Sequence, residues 1–363
     1  MPHALIAAII GLLAAGGAAI TIPPIRDIAR RLQLLDQPDA RRVHTVPIPR
    51  VGGLGIFFGF LVAVGVSFML PVDRFGVEIE RILLLLVGAT MIVGVMLFDD
   101  IVGIPPLPKL AVQLAAAGIV VLPRLRGEAH GIVIEQFNAP YVGTVSLPLL
   151  VAIGFTFFWI VGMMNAINWS DGIDGLAASI TLVATVVLFL HTYFRPAGDP
   201  QFTISLLAIA LAGAIIGFLI FNWHPASIIM GDTGSMFIGF ALATISIIGG
   251  AKIATALLAL GVPILDTAWV ILYRVMHGRS PVNADRGHLH HRLLDAGWSQ
   301  RQIVTGVAGI TMLFGALSLA LPTSEAKLGA MIVMGVVLLA LIAWLARKGQ
   351  TGSTQARYPH ADL

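Results

Sequence analysis

The amino-acid sequence predicts an all-α, polytopic membrane protein, and three observations carry that prediction. Of 363 residues, 57% are hydrophobic and only 11% are charged, where a water-soluble chain carries about 25% charged residues. The apolar residues gather into runs close to the roughly 17–25 residues that a helix needs to cross hydrocarbon, and mean hydropathy is +0.92. The basic residues concentrate in two polar loops between those runs, with six Arg in 24–50 and five in 273–302.

The runs are 4–22, 51–70, 82–98, 108–123, 147–164, 176–194, 203–221, 236–250, 253–272, 303–321 and 328–346, eleven in all. The first has only His3 ahead of it and no cleavage pattern, so it reads as a retained span rather than a leader. Runs 108–123 and 236–250 are short for a crossing, and only a tight turn separates 236–250 from 253–272. Basic loops stay in the cytoplasm, which places the N-terminus outside and the C-terminus inside. Segment 124–146, with Gly127, Gly131 and Gly143 among the alternating apolar residues Ile132, Ile134 and Phe137, is expected to form a β-hairpin on the outer surface. Residues 1–347 read as one integral membrane domain and the polar tail 348–363 as disordered. The absence of cysteine excludes disulfides, thiolate nucleophiles and Cys-ligated zinc. The formal charge of +3 belongs to topology-setting loops and not to a nucleic-acid surface.

Three acidic motifs interrupt the apolar runs, and in this topology all three face the cytoplasm. Carboxylates beside lipid are costly and mark function. Asp99-Asp100 closes the run that ends at Phe98. Two adjacent carboxylates at a helix C-terminus oppose both each other and the helix dipole, so they call for a cation. Oxygen ligands together with a diphosphate substrate suit Mg²⁺. Asn165, Asn168, Asp171 and Asp174 recur every third residue, which on a helix makes one polar stripe. Asn both donates and accepts, as recognition of a nucleobase or N-acetyl group requires. Gly231-Asp232-Thr233-Gly234-Ser235 opens a helix whose free N–H groups attract phosphate. Asp232 there repels phosphate unless a metal bridges them, which makes it the best single metal-ligand candidate; a plain helix cap is the bland alternative. His288, His290 and His291 lie in a basic loop and suit phosphate or sugar hydroxyls better than zinc. Asp266 reads as a partner for Arg274 or a helix-orienting group, and His44 and Arg50 as groups able to close over a phosphate.

Together these residues resemble the polyprenyl-phosphate N-acetylhexosamine-1-phosphate transferase family. The matching stretches run in order: Arg41-Arg42-Val43-His44 with Pro47-Ile48-Pro49-Arg50-Val51-Gly52-Gly53, Asp99-Asp100, Asn165 through Ala177, Phe221-Asn222 through Ser235, and His288-Leu289-His290-His291. The His-Leu-His-His form resembles the undecaprenyl-phosphate GlcNAc-1-phosphate transferase branch more than the phospho-MurNAc-pentapeptide translocases, and the span count agrees. The resemblance implies transfer of GlcNAc-1-phosphate from UDP-GlcNAc to undecaprenyl or another polyprenyl phosphate in the cell membrane, yielding UMP, with Mg²⁺ or Mn²⁺. It implies catalytic roles for Asp99 and Asp100, metal ligation by Asp232 and Asp100, and substrate contacts from Arg42, His44, Asn165, Asn168, Asp171, Asp174, Asn222, His288, His290 and His291. A homodimer is left open. Another UDP-amino sugar is the alternative donor. A transporter is the rival class; it predicts carboxylates at mid-membrane and inverted repeats, whereas these motifs cluster at one interface and no repeat is seen.

Overall fold

The computed structural model describes residues 1–37, 46–194, 201–250, 253–278 and 287–357. In chain order they form α1 (His3–Arg31), the short pair β1 (Leu35–Asp36) and β2 (Ile48–Pro49), α2 (Gly53–Ser67), α3 (Gly76–Val102) and α4 (Pro106–Val121). After a 3-10 turn at Leu122–Arg126 come the hairpin β3 (Gln136–Ala139) and β4 (Gly143–Ser146), then α5 (Leu149–Ser170), α6 (Leu176–Tyr193), α7 (Phe202–Asn222) and α8 (Gly231–Ile248). The chain continues through α9 (Ile253–Ala259), α10 (Gly261–Met276), α11 (Leu289–Asp295), α12 (Gln300–Ala320) and α13 (Ser324–Arg357).

This is an all-α, multi-pass membrane protein. Among the described residues nine helices are long and apolar enough to cross a bilayer, and α2 is a shorter apolar helix. Four expectations are corrected in detail. Helix α1 does not stop before Pro23-Pro24 but continues to Arg31. Helix α8 starts at Gly231, which brings Asp232 into its first turn. The run 253–272 breaks at Leu260 into α9 and α10. The four-residue stripe is not one helical face: α5 ends at Ser170, and Gly175, at φ +78°, turns the chain into α6, so Asp171 and Asp174 lie in the turn. The hairpin is present, with Phe137 opposite Val145 and Asn138 opposite Thr144. Of the tail expected to be disordered, α13 takes in residues up to Arg357, and 358–363 lie outside the described residues.

Helix α8 is the axis of the bundle. Within its span 94% of residues are buried in protein, against 22% for 324–342 of α13, and it packs on α2, α3, α5, α6 and α7. Small residues make this possible, because lipid offers no hydrophobic drive between helices and close backbone contact takes its place. A Cβ on Gly239 would lie 2.6 Å from the Cα of Met164 in α5, and one on Gly213 of α7 would lie 2.2 Å from the carbonyl of Gly11 in α1. Several hydroxyls inside the bundle are satisfied within their own helices: Thr244 donates to the Phe240 carbonyl and Thr156 to that of Ala152, each at 2.7 Å. A second apolar cluster joins Ile173, Leu176, Val262, Leu289, Leu293, Ile303 and Met334, and it seats α11 over the turn between α5 and α6.

Candidate active site

Four helix ends meet at one end of the bundle: the C-termini of α3 and α5 and the N-termini of α4 and α8. Gly231 takes φ +73° where the chain enters α8. A Cβ there would sit 2.5 Å from the Arg50 carbonyl and 2.6 Å from Asp100 Oδ2, so only glycine permits this approach. The β2–α2 corner is laced to the same entry, with Ile229 N–H donating to Pro49 at 2.9 Å, Gly52 N–H to Ile229 at 3.0 Å and Gly53 N–H to Met230 at 2.9 Å. That lacing aims Arg50 at the acidic groups.

Asp99, Asp100 and Asp232 each offer a carboxylate oxygen within 4.8 Å of the others. Asp232 Oδ1 accepts from Arg50 Nη2 at 2.6 Å and from Asn168 Nδ2 at 3.2 Å, and Oδ2 accepts from Lys109 Nζ at 2.7 Å. Lys109 also reaches Asp99 Oδ2 at 2.6 Å, while Asp99 Oδ1 accepts the Ile104 N–H at 2.7 Å. Asp100 is used differently. Its Oδ1 accepts the Asp232 N–H at 2.9 Å and faces Arg50 Nε at 3.1 Å. Its Oδ2 accepts the Thr233 N–H at 2.9 Å and the Thr233 hydroxyl at 2.6 Å. Asp100 thus caps the start of α8 from another helix and holds Asp232 in place. Three carboxylates face two cations, and the oxygen-only donor set fits a hard divalent ion; Asp232 and Asp99 are the members of the triad not committed to the α8 backbone.

The remaining candidates surround this cluster unevenly. Asn168 links Asp232 to Ser235, 2.9 Å from its Nδ2. Burial pushes the Asp171 carboxyl up to about 7 against the pull of Arg50, with Asp232, Asp100 and Asp174 adding to the rise. Burial would lower the Arg50 guanidinium, but Asp232 and Asp100 outweigh it and hold Arg50 above its ordinary value. Asp174 accepts from His224 Nδ1 at 2.7 Å and from the Ala226 N–H at 3.1 Å, and Asn222 bridges Gly175 N–H and the Ile228 carbonyl, each at 3.0 Å. These two build the wall between 174 and 228. Asn165 turns away to Gln113 of α4, with its Nδ2 donating to Oε1 at 2.8 Å. His290 is buried directly over Gly172, where a Cβ would lie 2.1 Å from Nε2. Burial, with His291 and His288 nearby, keeps His290 well below its ordinary value, so it is neutral. His288 stacks on His290 with ring centroids 5.8 Å apart, and His291 tilts against His290 at 4.3 Å. Arg42 and His44 lie outside the described residues.

The sequence profile of glycosyl transferase family 4 matches residues 82–250, which span Asp99, Asp100, the Asn165–Gly175 stretch and Asp232. The chain is 32% identical to a probable undecaprenyl-phosphate N-acetylglucosaminyl 1-phosphate transferase of Bacillus subtilis, over 88% of this chain and 86% of the relative. This chain belongs to that transferase family. A decaprenyl-phosphate N-acetylglucosaminephosphotransferase of Mycobacterium tuberculosis is 35% identical over 92% of this chain and 88% of the relative. A phospho-N-acetylmuramoyl-pentapeptide-transferase of Synechococcus is 31% identical over 75% of this chain and 76% of the relative. The chain is therefore a phosphoglycosyl transferase of the membrane.

Within this transferase the structure brings in a group that sequence reading passed over. Lys109 follows Pro105-Pro106-Leu107-Pro108 in the first turns of α4, where a cation opposes the helix dipole. That mismatch was its signal, hidden because a basic residue at a cytoplasmic helix end also satisfies topology. His224 lies inside a stretch that matches the family but was given no role there, and Gln113 carries no comparable signal, since it is defined only by its partner Asn165 far along the chain.

Proposed function

We propose that this protein transfers GlcNAc-1-phosphate from UDP-GlcNAc to a polyprenyl phosphate, undecaprenyl phosphate foremost, releasing UMP as the first membrane step of a cell-surface polysaccharide. The carrying observation is the gathering of Asp99, Asp100 and Asp232 with Arg50 and Lys109 at one end of the bundle. Eleven crossings with the N-terminus outside would place that end at the cytoplasm, where the nucleotide sugar is met. The GlcNAc relatives cover more of the chain than the muramoyl-pentapeptide relative, which favours GlcNAc as the sugar.

The chemistry assigns the roles. A lipid phosphate monoester, with a second pKa near 6, is already mostly dianionic at pH 7 and needs little deprotonation. The obstacle is bringing that anion against a diphosphate, at roughly 4 kcal/mol per pair of unit charges at about 4 Å and an effective dielectric near 20. The resemblance implies Asp232 and Asp100 as ligands; because Asp100 is bonded to the first N–H groups of α8, Asp232 and Asp99 are instead the pair that would hold a Mg²⁺ ion, which when bound supplies charge neutralisation for phosphoryl transfer. Asp100 fixes Asp232 through the α8 backbone. Arg50 and Lys109 are the cations able to meet the two phosphate groups. Asn168, Asp171, Asp174 and Asn222 form the wall for the nucleotide, and the histidines of α11 face the sugar or its phosphate. An oxygen of the lipid phosphate attacks the β-phosphorus of the donor, the bond to UMP breaks, and UMP leaves.

The test is UMP release by purified protein from UDP-GlcNAc with Mg²⁺, with and without undecaprenyl phosphate. Release that needs both lipid and metal is expected. Release without lipid would replace direct attack by a covalent aspartyl-phosphate route. Silence with UDP-GlcNAc and other UDP-amino sugars would overturn the proposal.

A further inference from the structure

Asp266 belongs to none of the roles above, yet it is buried and fully engaged. Its Oδ2 accepts from His288 Nδ1 at 2.8 Å and its Oδ1 accepts the Leu289 N–H at 2.8 Å. It projects from α10, while His288 stands at the residue just before α11. A carboxylate only accepts, so the proton shared with it sits on Nδ1 of His288. In the neutral ring Nε2, on the far side, then carries the lone pair. The ring cannot turn freely. Trp169 flanks it with centroids 6.0 Å apart, and His290 stacks on it within 10° of parallel. Trp169 follows Asn168, whose amide bonds Asp232. The Arg274 guanidinium, also from α10, lies 6.0 Å from the Trp169 ring. One helix thus fixes both the histidine and the aromatic wall beside it.

Resting on the reading of this site as one for a nucleotide sugar, we propose that Asp266 is a positioning residue that fixes His288 as an acceptor for the sugar of the donor, a hydroxyl or the acetamido N–H. The uridine and diphosphate are met by other groups. A fixed acceptor discriminates strongly, because a ligand without the matching donor leaves the buried nitrogen unpaired. An amide in place of Asp266 reverses the pattern. Its oxygen serves the Leu289 N–H, its NH₂ donates to Nδ1, and the proton moves to Nε2, which then meets the sugar donor with a donor.

Equilibrium binding of UDP and of UDP-GlcNAc to the full-length protein separates this from a structural role. Asp266→Asn is expected to weaken UDP-GlcNAc roughly tenfold, the scale of one lost hydrogen bond that leaves a partner unsatisfied. UDP alone should bind within about twofold of wild type. His288→Asn places an amide NH₂ where Nδ1 was, keeps the bond to Asp266 and deletes Nε2. It should give the same selective loss, and the double variant should lose little more than either single one, as coupled residues do. If Asp266→Asn fails to fold, His288→Asn alone decides, because it leaves the Asp266–Leu289 bond intact. Equal loss of UDP and UDP-GlcNAc, or additive losses in the double variant, would overturn the proposal. Wild-type protein that binds UDP but gains nothing from the sugar would overturn it too. Wild type that neither binds UDP-GlcNAc nor releases UMP from it would remove the underlying functional reading as well, so the two failures are distinguishable.

Discussion

Lys109 offers the sharpest test of the site. Its ammonium lies 2.6 Å from Asp99 and 2.7 Å from Asp232 and is three-quarters enclosed. Lys109→Met keeps the length and apolar stem of the side chain and removes the charge. Two carboxylates with oxygens within 4.8 Å of each other then lose the cation between them. At an effective dielectric near 20 their repulsion is about 3.5 kcal/mol, in the range of about 3–5 kcal/mol found when one partner of a buried pair is deleted. Arg50 still pairs with Asp232, so about 3 kcal/mol is the expected loss. For a chain of 363 residues, an unfolding entropy of about 2.1 cal/mol/K per residue converts this to a fall in Tm of about 4 °C. The assay is thermal unfolding of both proteins in one detergent, first in EDTA and then with Mg²⁺. A divalent ion on Asp99 and Asp232 takes over the missing positive charge, and ligand at about 100 times Kd contributes about 2.7 kcal/mol. The gap should therefore be near 4 °C in EDTA and should narrow in Mg²⁺. A gap below about 1 °C in EDTA would refute the electrostatic reasoning, and an equal gap in both buffers would refute a metal site at these carboxylates.

Other outcomes follow from the same geometry. Asp232→Asn should lower kcat by roughly 10³-fold, more than Asp99→Asn, because Asp232 is bonded to both Arg50 and Lys109 whereas Asp99 meets Lys109 alone of these cations; turnover at saturating lipid compares them, and a milder Asp232→Asn would overturn that order. Asp171, raised to about 7, is neutral below that pH and anionic above it. Binding of an anionic donor should thus weaken as pH rises from 6 to 8, and the KM for UDP-GlcNAc in Asp171→Asn should be flat over that window; a variant with the wild-type slope would place the titrating group elsewhere. Gly231→Ala must relieve approaches of 2.5 and 2.6 Å at φ +73°, which should cost about 2–3 kcal/mol of stability and reduce turnover through Asp100; unchanged melting and activity would contradict the tight entry to α8.

Hydropathy made the architecture legible. The cost of a charge or an unpaired peptide group in hydrocarbon is large enough to be written into every span, so the helices, the hairpin and the three acidic motifs could all be read from one sequence. Motif chemistry also singled out Asp99, Asp100 and Asp232, because a carboxylate at a membrane helix end needs a cation. Spacing gave one stripe only on the condition of a continuous helix, and that condition fails: α5 ends at Ser170 and Gly175 turns the chain into α6, so Asn165 pairs with Gln113, Asn168 with Asp232 and Asp174 with His224.

What the tertiary structure decided is the division of labour among groups of the same kind. Asp99 and Asp100 are neighbours in sequence, but a helix turns successive residues by about 100°, so one meets Lys109 and the other caps α8. Asp266 could pair with a cation or orient a helix, and the placement of the start of α11 beside it gave it His288 and the Leu289 N–H. Lipid solvation acts on each residue separately and so marks the sequence locally. Hydrogen bonds between residues as far apart as Arg50 and Asp232, 182 positions along the chain, exist only once the helix ends have met.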